Sequence, residues 1–299
     1  MAMQVLQALE DGRILIADGA WGTELDARGL PRGAAPETWV LDNPEAVLDV
    51  GACYAEVGPD ILMTDTLGGT RIKLARVGLA DRVEEVNRRA VELSKQAADG
   101  RMPVFASVGP TGEFMAPLGT ISEDDMVEVF AEQIAALIAG GADGFVLDTM
   151  IDVHEAKAAL LAAKEQTDLP VVASMTFDRG ARGYATIMGV RPGQAAEELQ
   201  AAGAEIVGSN CGHGIREMID VIALMAPATD LPLWAKPNAG IPRLVEGRAV
   251  FDETPEEFVA HFGALVEAGA RVVGGCCGST PGHIRALVAA RDASANLRG

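Results

Sequence analysis

Three of the chain's four cysteines lie in glycine-rich stretches, and their spacing sets out what chemistry it could do. Cys211 falls in Gly208-Ser-Asn-Cys-Gly-His-Gly214, and Cys276 and Cys277 fall in Val273-Gly-Gly-Cys-Cys-Gly278. Three thiolates with a fourth position open describe a catalytic zinc site, whereas a structural site is closed by four protein ligands. No further cysteine stands at the short spacing of a zinc ribbon. Two other readings stand beside zinc: inert buried cysteines, and an oxidised vicinal pair in a regulatory role. Cys53 sits within a helical pattern and reads as core.

A free thiol has a pKa near ~8.5 and is only slightly ionised at neutral pH. Zinc coordination deprotonates an incoming thiol and holds it for attack. Three thiolate ligands offset most of the ion's charge, which favours a sulfur nucleophile over activated water. With zinc bound, the chemistry is alkyl transfer to sulfur.

Carboxylates end three apolar runs, at Asp18, Asp65 and Asp148. Asp18 and Asp148 are candidates to bind an ammonium group, and the backbone N–H groups of Gly19 and Ala20 could receive a carboxylate. Together these would recognise an amino acid. The plainer alternative is helix capping, the role expected of Asp152. Ser107 opens Ser-Val-Gly-Pro-Thr-Gly-Glu113, a backbone-lined rim beside the substrate. Asn238, in Lys236-Pro-Asn-Ala-Gly240, could reach a metal or substrate through its amide oxygen. His213 reads as a helix-start residue, and His154, His261 and His283 as helix-surface residues. Trp21 reads as a pocket wall, and Trp39 as a pocket wall or a packing anchor.

These residues need a frame that carries them to one place. Strand candidates are Ile14–Ala20, Asp60–Thr66, Pro103–Pro110, Gly144–Met150, Pro170–Phe177, Ile206–Gly212, Pro232–Gly240 and Val272–Gly278. Most lack alternation in their cores, as strands covered on both faces do. Helical segments lie between them: Pro44 opens Glu45–Val57, Ser122 precedes Glu123–Ala139, and Asp152 precedes Val153–Lys164. Pro192, Pro255 and Pro281 mark the first turns of three more. The lead-ins Ala139-Gly-Gly-Ala-Asp143, Ala202-Gly-Ala-Glu205 and Ala268-Gly-Ala-Arg271 repeat one βα unit.

Such alternation predicts a (β/α)8 TIM barrel, one domain over residues 1–299. An open doubly wound sheet would carry a G-x-G-x-x-G fingerprint after its first strand, and Asp18-Gly-Ala-Trp-Gly22 is not one. In the barrel, strands six and eight are second neighbours, so the three cysteines could meet at the carboxyl rim. Adjacent residues on a regular strand point to opposite faces, so Cys276 and Cys277 converge only where the strand stops being regular. The stretches Arg28–Trp39 and Asn238–Phe251 are expected to be long irregular loops at that rim.

The chain has 299 residues, with Lys plus Arg 24 against Asp plus Glu 43 and a formal net charge of -19. That charge argues against binding nucleic acid or an anionic membrane. No apolar run approaches the roughly 18 residues of a spanning helix. The amino-terminal stretch lacks the features of a secretory signal, so the expected location is the cytoplasm. Four cysteines are too few for a disulfide scaffold.

With these residues in view, the chain resembles the zinc-dependent homocysteine S-methyltransferases over roughly residues 12–290. That family includes betaine–homocysteine methyltransferase and the homocysteine-binding module of cobalamin-dependent methionine synthase. The resemblance rests on Gly274-Gly-Cys-Cys-Gly278, Asn210-Cys-Gly212, Asp18-Gly19 and Ser107-Val-Gly-Pro-Thr-Gly112. It implies a barrel with zinc on Cys211, Cys276 and Cys277, and a methyl group moved to homocysteine to give methionine. It also implies that Asp18 and Asp148 hold the amino group and backbone near Gly19 the carboxylate. The chain departs from the family pattern at Asp148, where Glu is usual, and at Asp65, where Asn is common. Leu67, Gly68 and Thr149 replace the aromatics of an animal-type betaine cage. Lys236-Pro-Asn-Ala-Gly-Ile-Pro242 and Asp152-Val-His-Glu-Ala-Lys157 look more like the corrinoid-dependent module. The donor this implies is methylcobalamin on a separate corrinoid protein. The two Asp departures support an alternative, a corrinoid-protein-dependent methyltransferase acting on another methylated substrate or thiol acceptor.

Overall fold

The computed structural model describes residues 2–245 and 248–296. Eight strands form one sheet: β1 (Leu15–Ile16), β2 (Leu62–Met63), β3 (Val104–Val108), β4 (Gly144–Met150), β5 (Val171–Met175), β6 (Ile206–Gly214), β7 (Leu233–Asn238) and β8 (Ala270–Val273). Around the sheet the order is β1-β8-β7-β6-β5-β4-β3-β2, with every hydrogen-bonded neighbour parallel. A parallel bridge between Ala17 and Ile61 joins the last edge to the first, with Asp18 N donating to Ile61 O at 3.1 Å. The fold is the expected (β/α)8 barrel.

Continuous apolar runs form these strands because both faces are covered: Val104, Phe105, Val171, Val172, Ile206 and Val272 are fully buried. Phe105, Phe145 and Trp234 are among the largest fully buried side chains. Burying each such side chain contributes about 1.5–3 kcal/mol before the entropy of ordering is charged against it.

The helices begin where their caps dictate. Ser122 accepts from Asp125 N at the head of Glu123–Ala139, and Asp152 accepts from His154 N at the head of Val153–Lys164. Thr254 and Glu257 form a reciprocal capping box on Pro255–Val259. Among the described residues no helix is long and apolar enough to cross a membrane.

Three features differ from expectation. The last strand starts at Ala270 and stops at Val273, so the cysteine pair lies in the turn beyond it. The loop after β7 contains a two-stranded ribbon, Arg243–Val245 against Arg248–Val250. A second ribbon after β5, Asp178–Gly180 with Gly183–Ala185, has no expected counterpart; three-residue strands carry too little periodicity to stand out.

Candidate active site

Two strands bulge at the carboxyl rim, and both bulges carry predicted site residues. In β4 the register with β5 shifts between Leu147 and Met150, which frees Asp148 and Thr149 from regular pairing. In β6 the register with β7 shifts between Cys211 and Gly214. Thr149 has φ 62° and Cys211 has φ 59°, a region most non-glycine residues avoid. Bulges re-aim side chains beside active sites, and strained backbone is held there by its surroundings.

The third segment follows β8. Gly274 N donates to Ala235 O at 3.0 Å and Gly275 N to Asp18 O at 3.1 Å, so the chain stays seated on the barrel as it leaves the strand. Cys276 N then donates to Pro237 O at 2.7 Å, and Gly278 turns with φ 80°. This turn lets adjacent cysteines converge, as the flanking glycines suggested. The Sγ atoms of Cys211, Cys276 and Cys277 all lie within 4.8 Å of one another, and all three residues are partly exposed. Tetrahedral thiolates about 2.3 Å from zinc would sit about 3.8 Å apart, within small adjustments of this arrangement. Hydrogen bonds from the Cys276 and Cys277 thiols push the Cys211 thiol down, and the same bonds with Cys211 push the other two up. Three sulfurs gathered this way form a donor set for a cation.

Asp148 stands beside the thiols. Its oxygens accept from Ser107 Oγ at 3.1 Å and Thr149 Oγ1 at 3.2 Å, and the side chain is partly exposed. Burial by its surroundings, then the charge of Cys276, raises its pKa to about 6. Ser107, on β3, thus holds Asp148 in place through its hydroxyl. Asn238 ends β7 between the two cysteine segments, donates Nδ2 to Gly212 O at 3.1 Å, and has a buried Oδ1 with no partner.

Asp18, Gly19 and Ala20 are arranged differently from the expectation. The Asp18 carboxylate is fully buried and paired with Lys236 Nζ at 2.8 Å; its second oxygen accepts from Trp21 Nε1 and Met63 N. Ala20 N donates to Ser279 Oγ at 3.1 Å, and Tyr54 Oη and Ser279 Oγ close over Gly19. The Asp18 carboxylate and the Ala20 N–H thus already have protein partners where an ammonium and a carboxylate were expected. The displacing groups, Lys236, Tyr54 and Ser279, come from distant segments. Trp21 serves Asp18 rather than a pocket wall, and Trp39 packs against the core.

Asp65 is buried, with Oδ2 unpartnered, and burial followed by the charge of Glu37 raises its pKa well above the usual carboxylate range. Glu37, buried from the loop after β1, had no predicted role. His283 is buried against the edge of Phe258, not on a surface, and His213 lies in β6 ahead of the helix. Cys53 is half-buried beside Arg28 and Asp49 rather than core. A cleft of about 580 Å³ lined by Arg13, Phe262 and Arg291 lies at the amino end of β1, away from the thiols.

The family model described as Homocysteine S-methyltransferase matches residues 15–291. The chain belongs to the homocysteine S-methyltransferase family. It is 29% identical over 296 residues to a methionine synthase of Mycobacterium tuberculosis, covering 93% of this chain and 24% of that protein. A methionine synthase of Mycobacterium leprae is 28% identical over 298 residues, with the same shares, 93% and 24%. This family member therefore spans about a quarter of the length of those relatives. The metallated form of the Escherichia coli homocysteine methyltransferase MmuM matches with a TM-score of 0.80 at 25% identity, over 95% of this chain and 99% of that one. By family, the chain is an S-methyltransferase.

Proposed function

We propose that this S-methyltransferase binds zinc through Cys211, Cys276 and Cys277 and methylates homocysteine to methionine. The observation that carries the reading is the meeting of three thiols from two bulged or turned segments next to a partly exposed carboxylate. The donor set fits zinc: three sulfurs, no fourth thiol in the cluster, and the buried unpartnered amide oxygen of Asn238 on the strand between. Bound there, zinc supplies a Lewis acid that favours the thiolate form of an incoming thiol.

The rest is the work of side chains. Asp148, held by Ser107 and Thr149, receives the ammonium group of the acceptor. That contact fixes the amino acid so that its sulfur lies toward the three cysteines. Fixing acceptor and donor in line supplies acceleration through proximity, and no general base is required of the protein once the thiolate forms. The likeness of Lys236-Pro-Asn-Ala-Gly240 to the corrinoid-dependent module supports a methylated corrinoid protein as donor, and the methionine synthase relatives support methionine as product. Burial of Asp65 against Glu37 weighs against its being an acceptor contact, and so favours homocysteine over a differently charged thiol.

The test is titration of zinc-loaded protein with homocysteine while proton release is followed, then supply of methylcobalamin and assay for methionine. One proton released per site, methionine formation, and loss of both with zinc in Cys276→Ala support the reading. Full turnover by a zinc-free preparation overturns it.

A further inference from the structure

The cysteine turn and the loop after β7 are joined by hydrogen bonds that form a closed circuit. Ala239, the residue after β7, gives its N–H to Cys277 O at 3.0 Å and accepts the N–H of Glu253 on its own carbonyl at 3.3 Å. Glu253 O lies 2.9 Å from His283 Nε2, and His283 Nδ1 accepts from Thr280 N at 3.1 Å. Thr280 stands three residues beyond Cys277, so the chain itself closes the ring. The other links are backbone; His283 is the side chain in the circuit. A backbone N–H can only donate and a carbonyl oxygen can only accept, so Nδ1 is bare and Nε2 carries the hydrogen. The ring is buried, and it meets Phe258 edge-to-face at 88° with centroids 5.4 Å apart, which fixes its plane.

His283 is the third residue of the helix Pro281–Asn296, where a capping-box side chain reaches back to the N–H ahead of the helix. An acceptor suffices for that cap. The donor on the far side of the ring does something else: it reaches a segment 30 positions earlier in the chain. Between the tied points lie contacts with the thiol site. Asn238, whose buried Oδ1 has no partner, immediately precedes Ala239, and Phe251 lies so close on the cysteine turn that a Cβ added at Gly278 would stand 2.2 Å from it. We infer that His283 is a positioning residue for the metal centre: by tying Glu253 to Thr280 it holds Ala239 against Cys277, and so sets where the Cys277 sulfur and the Asn238 amide stand. The inference rests on the three-cysteine zinc site proposed above.

The experiment measures zinc affinity by chelator competition, together with the absorption of the cobalt-loaded protein, whose thiolate-to-metal bands report the number and geometry of sulfur ligands. His283→Asn is too short to span Thr280 N and Glu253 O. It should weaken zinc by about tenfold or more, as for other groups that hold metal ligands in place, and shift and weaken the cobalt bands. His283→Gln has both an acceptor and a donor and completes a capping box with Thr280, so it should restore both readouts. Ser122→Ala removes the cap of the helix Glu123–Ala139; it should lower the unfolding midpoint and leave both metal readouts as in the wild type. If His283 only capped and packed its own helix, His283→Asn would behave as Ser122→Ala does, and that result overturns the inference. So does a His283→Gln protein no better than His283→Asn. Should His283→Asn not fold, Glu253→Pro removes the N–H given to Ala239, leaves His283 in place and carries the same expectation; wild-type zinc affinity in that variant overturns the inference. If the wild type takes up neither zinc nor cobalt, the three-cysteine reading itself falls, and the inference with it.

Discussion

Asn210 ties the bulge of β4 to the cysteine pair: its Nδ2 donates to Thr149 Oγ1 at 2.6 Å and lies 3.8 Å from Cys276 Sγ. Its Oδ1 accepts from Thr149 N at 2.9 Å and Ser174 Oγ at 2.6 Å, so the whole amide is in use. The residue is buried and immediately precedes Cys211. It therefore orients ligands on two segments. Groups that hold metal ligands in place typically account for about 10–100-fold in metal affinity. Asn210→Ala is expected to weaken zinc binding by that factor while the barrel stays folded. Competition with a chromogenic chelator measures it; affinity equal to wild type would remove Asn210 from the metal centre.

The three site thiols and Cys53 are expected to separate cleanly. Cys53 is on the helix Pro44–Val57, with Arg28 Nη2 at 3.5 Å from its sulfur, outside the cluster of three. Cys53→Ser should retain one zinc per chain and wild-type activity, whereas Cys277→Ser should lose most of both. Metal analysis after dialysis decides the matter. A Cys277→Ser protein that keeps full zinc would mean that two sulfurs suffice.

The barrel was legible in the sequence because burial on both faces gives its strands an unmistakable run of apolar residues, and because Ser122, Asp152 and three prolines mark helix starts. The cysteine site was legible for a related reason: once the strand count is known, residues ending strands six and eight must lie near each other. What stayed hidden depends on pairs formed between distant segments. Asp18 has the same spacing whether it awaits a ligand or faces Lys236, 218 positions away. Ala20 likewise gives no sign that its N–H is taken by Ser279. The bulges at Asp148 and Cys211 carry no periodic signal, since a bulge is a break in periodicity.

Close strand contact makes Gly208 a sharp test of the backbone around the site. It sits in β6 three residues before Cys211, and an added Cβ would fall 2.0 Å from the carbonyl oxygen of Trp234 on β7. That obstacle is backbone in the middle of a parallel pair, so no side-chain rotation relieves it. Gly208→Ala is expected to lose about 3 kcal/mol or more, the upper end of overpacking effects. Thermal unfolding should show a drop of many degrees, with zinc affinity reduced in the fraction that folds. A midpoint within a degree or two of wild type would mean that the two strands can part without penalty.

The Asp65–Glu37 pair gives stability a definite pH dependence. In the folded protein burial holds the Asp65 carboxyl protonated well above the usual range, the charge of Glu37 adding to the effect, whereas in the unfolded chain it ionises near about 3.9. Over the interval between those values the folded state binds more protons than the unfolded one. Stability from this group is therefore greatest in acid and falls as pH rises toward its folded pKa. Asp65→Asn removes the ionisable group while keeping its size, and leaves Glu37 without its repelling neighbour. The variant should match the wild type near pH ~4 and exceed it increasingly toward pH ~8, a gain of a few degrees in unfolding midpoint. Because all other groups are common to both proteins, the difference between their stability curves isolates this pair. Denaturant unfolding across that range gives the curves, and a difference that stays flat or grows toward acid would show that Asp65 is ionised in the native protein.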